Sequence, residues 1–439
     1  MMTESKFPLP LEGVKILDFT WSVAGPTMTR YLAGLGARVL KVEWPEGPDP
    51  MRTAMYRTDT DEKNLNNGAF FSNLNVGKES ITINVKDADG LQTVKEIIAE
   101  VDAVTESFSA QVMERWGLGY EAMKAINPKI VYVSISGFGH TGPHLDKNTW
   151  GPTAQAMSGM TAAVGVPGRD PAGWGYSYLD VCAGYMGAIG ATAAILQARK
   201  TGESQHVDLS QVETGLALVG PMLTNYLTEG TRPPNGYPGG NSSVDTSGND
   251  VSFRGDQAPL SDIFPTSSDG YNDYVALTVQ SKQQWDALCQ LVTELSTIHF
   301  EDVPKHRAEI AEALSTFLQS KSKYEAAELF ASYGIAAAPV QGGKDRVEAD
   351  PQLAHRGLIE ERAHPRLETH NVQSLPYRFV LDEGGWPFKD QFPVLGKDTR
   401  GILSSVLNLD QERIDELDRN GVLWPEGVPH EITIANSLW

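Results

Sequence analysis

The stretch VKILDFTWSVAGPTMTRYLAGLGARVLKVE, residues 14–43, decides the fold. Val14 to Phe19 form an apolar run of strand length, and Ala37 to Glu43 form a second. Between them Gly25 and Pro26 open a segment of helical length and spacing. Proline suits a first helical turn, where its missing N–H has no partner to lose. The three pieces predict a βαβ unit, with the second strand ending in Glu43. The same alternation continues with SITINV (80–85), a helix over 87–100, VDAVTES (101–107), a helix over 110–126 and KIVYVSISGFG (129–139). Strands alternating with helices of this length predict an α/β fold with a mainly parallel sheet covered on both faces.

Further along the chain the pattern changes. Residues 228–262 are dense in Gly, Pro, Asn, Asp and Ser, and read as a long loop or crossing. YNDYVALTV (271–279) reads as a strand, QSKQQWDALCQLV (280–292) as an amphipathic helix, and residues 306–333 as helical. YGIAAAPV (333–340) closes this smaller unit as a strand or turn, and PRLETH, LPYRFV and FPVLGKDTR supply short extended pieces towards the carboxyl terminus. The expected division is therefore a large domain begun by 8–225, a crossing loop over 226–262, a small domain over 263–345 and a return segment over 346–439. A chain of 439 residues accommodates this plan of one large and one small domain.

Composition narrows the function. With 41% hydrophobic and 21% charged residues, the chain is an ordinary globular protein. Its formal charge of −20 argues against nucleic-acid and anionic-membrane partners, which require a broad basic face. A polyanionic small ligand stays compatible if Lys and Arg gather locally. The 2 cysteines, Cys182 and Cys289, have no metal-ligand spacing and fit a reducing compartment. The amino-terminal residues carry no apolar run of signal-peptide length, and residues 181–196 are too few and too glycine-rich to span a bilayer, so a cytoplasmic location is the expectation.

Several residues are candidates for chemistry. SVAGP (22–26) lies between a strand and a helix, where α/β sheets bind phosphate-bearing ligands. Glu43 stands where a ribose-binding acid would, but no G-x-G-x-x-G string precedes it, which disfavours a nicotinamide-dependent oxidoreductase. Arg52, Lys78 and Arg115 follow strand ends; singly they read as solvated charges, together as a local anion site. His140, in the glycine-rich SGFGHTGP segment, is a candidate acid or base as well as a plain loop histidine. Trp21, Trp150, Trp174, Tyr176 and Tyr178 read as packing or as an aromatic cage for a cationic substrate. Asp180 marks the seam between GWGYSYLD and VCAGYMGAIGATAAIL, a helix rich in small residues at three- and four-residue spacing. One face of that helix would admit another backbone closely. The helix macrodipole would favour an ionised Asp180, and the residues alone leave both a capping and a nucleophilic role open.

Taken in order, PLEGVKILDFT, AGP, LGARVLKVE, NVGKESITINV, MERWGLGYEAMKAINPKIVYVSISGFGHTGP, AQAMSG, the Asp180 helix, RKTGESQHVDLSQVE and YGIAAAPV resemble the class III CoA-transferases, the family of formyl-CoA transferase and carnitine CoA-transferase. The resemblance runs over about residues 8–400. It implies a Rossmann-like large domain assembled from both chain ends, a smaller domain, and two subunits threaded as interlocked rings. It places Asp180 on the family's nucleophile, Ser22, Val23 and Ala24 on the segment lining the CoA pocket, and Ser107, Phe108 and Arg115 on the block that touches the nucleotide. Arg52 and Lys78 fall in blocks near that pocket.

The implied activity is transfer of CoA from an acyl-CoA donor to a carboxylic acid, with coenzyme A as substrate and carrier, no prosthetic group and no metal. A homodimer and a heteromer with a related subunit both fit. Two departures stand out: the acyl-site lid, represented here by PGG (238–240) and RGDQAP (254–259), does not align, and Trp44 replaces an arginine common after the second strand. The same fold serves α-methylacyl-CoA racemases, but Trp150 stands where their histidine would be, and racemisation needs that second proton carrier. A non-catalytic subunit of a heteromeric transferase is the remaining alternative. Trp21, Trp174, Tyr176 and Tyr178, with no adjacent cation, incline the acceptor towards a betaine-like acid.

Overall fold

The structure, a computed structural model, describes residues 8–53, 64–163, 170, 171, 173, 176–229, 259–267, 270, 272–378, 387–389 and 391–424. Its strands are β1 (Lys15–Asp18), β2 (Arg38–Glu43), β3 (Glu79–Thr82), β4 (Ala103–Glu106), β5 (Val131–Ser136), β6 (Gln205–Ser210), β7 (Leu260–Pro265), β8 (Tyr274–Val279), β9 (Ala336–Pro339), β10 (Ile359–His364) and β11 (Glu368–Gln373). The α-helices are α1 (Ala24–Gly34), α2 (Ala69–Asn75), α3 (Ala88–Glu100), α4 (Val112–Arg115), α5 (Tyr120–Ile126), α6 (Gly151–Met157), α7 (Met160–Ala163), α8 (Tyr178–Thr201), α9 (Gln211–Leu218), α10 (Gly220–Glu229), α11 (Lys282–Leu291), α12 (Arg307–Leu318), α13 (Lys323–Ser332), α14 (Gly343–Glu348), α15 (Pro351–Arg356), α16 (Thr399–Leu407) and α17 (Gln411–Arg419).

The chain divides into two compact units, one within Met1–Ala154, Gly175–Gly215 and Arg356–Trp439, the other within Gln155–Trp174 and Leu216–His355. The stretch 155–174, expected inside the first part of the large domain, groups with the second unit. Spatial contact decides that grouping, and strand-helix alternation along the chain does not report it. The second unit carries the antiparallel sheet β7-β8-β9 around its own core of Trp285, Leu288, Ile310, Leu314 and Phe330.

In the first unit six strands form one parallel sheet in the order β3-β2-β1-β4-β5-β6. Successive side chains of a strand point to opposite faces, and here both faces are dry. Ile16, Val39, Val133 and Ile135 pack under α1 and α8, whereas Leu17, Leu40, Val104 and Tyr132 pack under the face covered by α3, α16 and α17. The chain runs β1, β2, β3 in one direction and returns to β4, β5, β6 in the other, so the strand order reverses between β1 and β4. In open α/β sheets such a reversal is where ligands bind, at the carboxyl ends of the strands.

Three local features depart from the reading of the sequence. The helix expected over 110–126 is two, α4 and α5. Gly117 adopts φ +72°, and the N–H groups of Gly117 and Leu118 donate to Glu114 O and Met113 O, which terminates α4. The carboxyl-terminal pieces include the antiparallel pair β10–β11 and also α16 and α17, whose Ile402, Leu403, Ile414 and Leu417 are buried against the sheet. Most of the 228–262 loop, including PGG and Arg254 to Ala258, lies outside the described residues.

α8 is the one helix among the described residues long and apolar enough, by length and composition, to cross a membrane; 50% of its most apolar stretch is buried. Its inner face carries Ala183, Gly184, Gly187, Ala188, Ala191, Ala194 and Ala198, and it packs against α1.

Candidate active site

The turn after β1 is built from beneath by buried charge. Asp18 ends β1 and accepts from Thr20 N (2.9 Å), Thr20 Oγ1 (2.6 Å), Thr29 Oγ1 (2.8 Å) and Thr105 Oγ1 (3.0 Å), with Lys78 Nζ at 3.5 Å. Lys78 also donates to Asn75 Oδ1 and Thr29 Oγ1, both at 2.7 Å, and to Pro26 O at 3.2 Å. Lys41 Nζ donates to Thr20 O (2.7 Å) and Asp49 Oδ2 (3.1 Å), and Asp49 Oδ1 accepts from Ser22 N (3.1 Å). These bonds hold Ser22 at φ +64°, a conformation a serine takes only when its surroundings fix it. Burial pushes the Lys78 ammonium down to about 7 against the pull of Asp18. Asp18 is itself buried, which would raise it, yet Lys78 and Lys41 hold its carboxyl below the usual range.

Arg52 and Lys78 are therefore placed differently from an open anion site. Both are 0% exposed. Arg52 makes a bidentate pair with Glu43 (2.8 and 2.6 Å), donates to Leu65 O, Asn66 Oδ1 and Pro393 O, and lies 3.8 Å from the Phe71 ring centroid. Glu43 is thus the partner of a buried arginine. A buried pair of this kind is satisfied internally and turns no donor to solvent.

The structure does bring together the segments after β1 and β4. Trp21 N donates to Ser107 Oγ (2.9 Å), Ser107 Oγ donates to Trp21 O (3.2 Å), and the Trp21 and Phe108 rings meet edge-on at 5.3 Å. Ser22, Ser107 and Phe108 are half-buried, Val23 and Ala24 are buried, and Arg115 is exposed at the end of α4. Trp44 packs edge-on against Trp424 at 5.6 Å. With Trp21 engaged by Phe108 and Tyr176 exposed, the described aromatics form no closed cage; Trp174 lies outside the described residues.

Asp180 sits in the first turn of α8, three residues after the N-cap Ser177, and is 9% exposed. It is not the cap itself. Its Oδ1 accepts from the side-chain amide of Gln211, its carboxylate is also bonded by the Ser177 side chain, and its Oδ2 lies against Gly151. A Cβ on residue 151 would stand 2.5 Å from that oxygen and 2.9 Å from Ser177 Oγ, so only glycine fits beside the carboxylate. Burial raises the carboxyl, opposed by Ser177 and Gln211; the net direction is upward, opposite to the macrodipole's expected effect. Val181, the next residue, packs against the cluster of Val23, Met51, Phe71 and Leu74, which joins the start of α8 to the Ser22–Ala24 turn. Gln211 and Gly151 were not singled out in the sequence; only a polar residue directly after β6 hinted at the first.

His140 is engaged by acids on β4 and β6. Its Nε2 is 3.3 Å from Glu106 Oε1, and its backbone N–H is held by both oxygens of Asp208 (2.9 and 3.0 Å). Burial pushes Glu106 up to about 8, with Phe108 N and Tyr132 Oη opposing, so at neutral pH its carboxyl holds a proton. Among the described residues no group of His, Cys, Asp and Glu has the arrangement of a metal site.

The family model for CoA-transferase family III matches residues 11–399. The chain belongs to that family.

It is 30% identical over 428 residues to the succinyl-CoA:glutarate CoA-transferase of Homo sapiens, covering 94% of this chain and 90% of the relative. It is 29% identical to the succinyl-CoA–D-citramalate CoA-transferase of Chloroflexus aurantiacus, over 96% of this chain and all (100%) of the relative. Among solved structures, a CAIB/BAIF family protein from Brucella suis superimposes with a TM-score of 0.78 at 26% identity, covering 91% of this chain and 100% of the other. The chain is thus an enzyme of the CoA-transferase type, with coenzyme A as the carried group.

Proposed function

We propose that this family III CoA-transferase moves CoA from an acyl-CoA donor to a carboxylic acid through covalent intermediates on Asp180. The observation that carries the reading is the placement of Asp180. It is a mostly buried carboxylate at the start of a long helix, one oxygen anchored by Gln211 and the other lying against Gly151. Attack on the donor thioester carbonyl gives an aspartyl-acyl anhydride and CoA thiolate. The thiolate then attacks the aspartyl carbonyl to give an aspartyl-CoA thioester, the acceptor carboxylate displaces it, and CoA returns to the acceptor's acyl carbon. One difficult exchange becomes several easier ones.

A carboxylate is a weak nucleophile, so the nucleotide portion of CoA must hold the reacting end in place. Ser22, Val23, Ala24, Ser107 and Phe108, in the segments after β1 and β4, are the proposed contacts, together with the exposed Arg115 at the end of α4. Arg52 and Lys78 act from beneath, by fixing the turn that carries Ser22. The strand order β3-β2-β1-β4-β5-β6 supports a Rossmann-like CoA-binding unit. The exposed apolar side chains of α8, among them Tyr185, Met186, Ile189 and Leu196, favour an interlocked dimer in which a second copy covers that face. A cytoplasmic location agrees with the two free cysteines.

For the substrates we infer the dicarboxylate class, because the named relatives use succinyl-CoA with glutarate or citramalate. This displaces the betaine-like acceptor expected from the aromatics. The reading is tested by incubating the protein with acyl-CoA and hydroxylamine or borohydride and locating the adduct by mass spectrometry, alongside a panel of acids led by glutarate. Adducts elsewhere than Asp180, or full transfer by Asp180→Ala, would refute it.

A further inference from the structure

Gln211 is the first residue of α9, directly after β6, and is 6% exposed. The end of an internal parallel strand pairing fixes its backbone, since β6 is registered on β5 from Gln205 to Ser210. Its side-chain amide crosses to α8 and donates to Asp180 Oδ1. Asp180 Oδ2 lies on the other side, against Gly151, and the Ser177 side chain also bonds the carboxylate. The two carboxylate oxygens are thereby made unequal: Oδ1 is held by the neutral Gln211 amide and Oδ2 is not.

We propose that Gln211 is the oxyanion donor for the steps that take place at the Asp180 carbonyl carbon. The inference rests on Asp180 being the nucleophile. When CoA sulfur bonds to Cγ of the anhydride, the carbonyl electron pair moves to Oδ1. Collapse then breaks the Cγ–Oδ2 bond, and the donor acid leaves with Oδ2. In the second half an acceptor carboxylate oxygen bonds to Cγ, the pair moves again to Oδ1, and the C–S bond breaks with CoA leaving as thiolate. In both tetrahedral species the full negative charge falls on the oxygen that Gln211 already holds. An oriented donor that meets more charge in the transition state than in the ground state lowers the barrier. An amide suits the position because it carries no charge of its own and does not change protonation with pH.

The test uses the full-length protein with succinyl-CoA and glutarate, and two substitutions. Gln211→Met keeps the volume and removes the donor: kcat is expected to fall about 100- to 1000-fold with KM for acyl-CoA changed less than about twofold. Single-turnover formation of the aspartyl-CoA thioester slows by the same factor, while the melting temperature stays close to that of the unaltered protein. Gln211→Glu places a second carboxyl beside Asp180, so one of the pair holds a proton well into the neutral range and, while held, still donates. Its kcat should rise as pH falls, the reverse of the unaltered enzyme, which loses activity in acid as Asp180 protonates. A Gln211→Met enzyme with kcat within about threefold of the original, or a Gln211→Glu enzyme with an unreversed pH profile, overturns the proposal. If Asp180→Ala also transfers CoA, the nucleophile assignment fails instead, and the two failures are told apart.

Discussion

Gly184 of α8 stands where a Cβ would lie 2.7 Å from the carbonyl oxygen of Ala24 and 2.6 Å from Thr27 Cβ in α1. The start of α1 carries the Ser22–Ala24 turn and the start of α8 carries Asp180, so this close approach sets the spacing between that turn, the proposed CoA contact, and the carboxylate. In Gly184→Ala two effects oppose. Helix propensity alone favours alanine by about 1 kcal/mol, whereas overpacking against a backbone carbonyl costs about 1–3 kcal/mol. Packing wins: the urea midpoint falls and KM for acyl-CoA rises. A variant more stable than the original would show that the helices separate freely.

Gly151→Ala inserts a methyl group at 2.5 Å from Asp180 Oδ2. The carboxylate must rotate or withdraw, and small misplacements of reacting atoms cost about 100-fold in rate. The expected result is a kcat reduced by that order with an unchanged thermal transition, read by steady-state assay and calorimetry. Unchanged kcat would place the attack on the other oxygen.

Arg52→Met strands Glu43 in a site that is 0% exposed. Loss of one partner of a buried pair costs about 3–5 kcal/mol, while replacing both with apolar residues is close to neutral. Arg52→Met should therefore lower the denaturation midpoint sharply, and Arg52→Met with Glu43→Leu should recover most of it. If instead Arg52 touches CoA, the double variant regains stability and still shows a raised KM.

Glu106 gives a pH dependence with a definite sign. Its carboxyl ordinarily titrates at 4.5 and is pushed up to about 8, first by burial and further by Glu114 and Asp208. Between these values the folded protein holds a proton that the unfolded chain has released. The stabilisation is complete below about 4.5 and is lost as pH rises through about 8, a change on the order of 5 kcal/mol. Glu106→Gln mimics the protonated acid and flattens that slope. Parallel stability curves for the two proteins between pH 5 and pH 9 would contradict the assignment.

Much of this architecture is legible in the chain. The apolar alternation of β1, β2 and β5 and the helical spacing of α1 and α3 report, residue by residue, which side chains must leave water. The split between α4 and α5 is signalled by Gly117, and α17 by Asp410 before an amphipathic run, since Asp410 accepts from Arg413 N; helical spacing continues across Gly117, so periodicity alone joins α4 to α5. Asp180 was visible as a charge at the head of a small-residue helix.

The sequence by itself determined the parallel α/β sheet and the position of Asp180 at the head of a small-residue helix, because strand and helix periodicity act over a few neighbouring residues, and its ordered motif blocks determined the family. Only the tertiary structure decided that Arg52 and Lys78 turn inward, that Gly151 lies against one oxygen of Asp180, and that Gln211, 31 residues further on, holds the other. Hydrogen bonds and ion pairs act across a few ångströms of space, and which distant residues share that space is settled only when the ends of β1, β4 and β6 and the start of α8 are folded together.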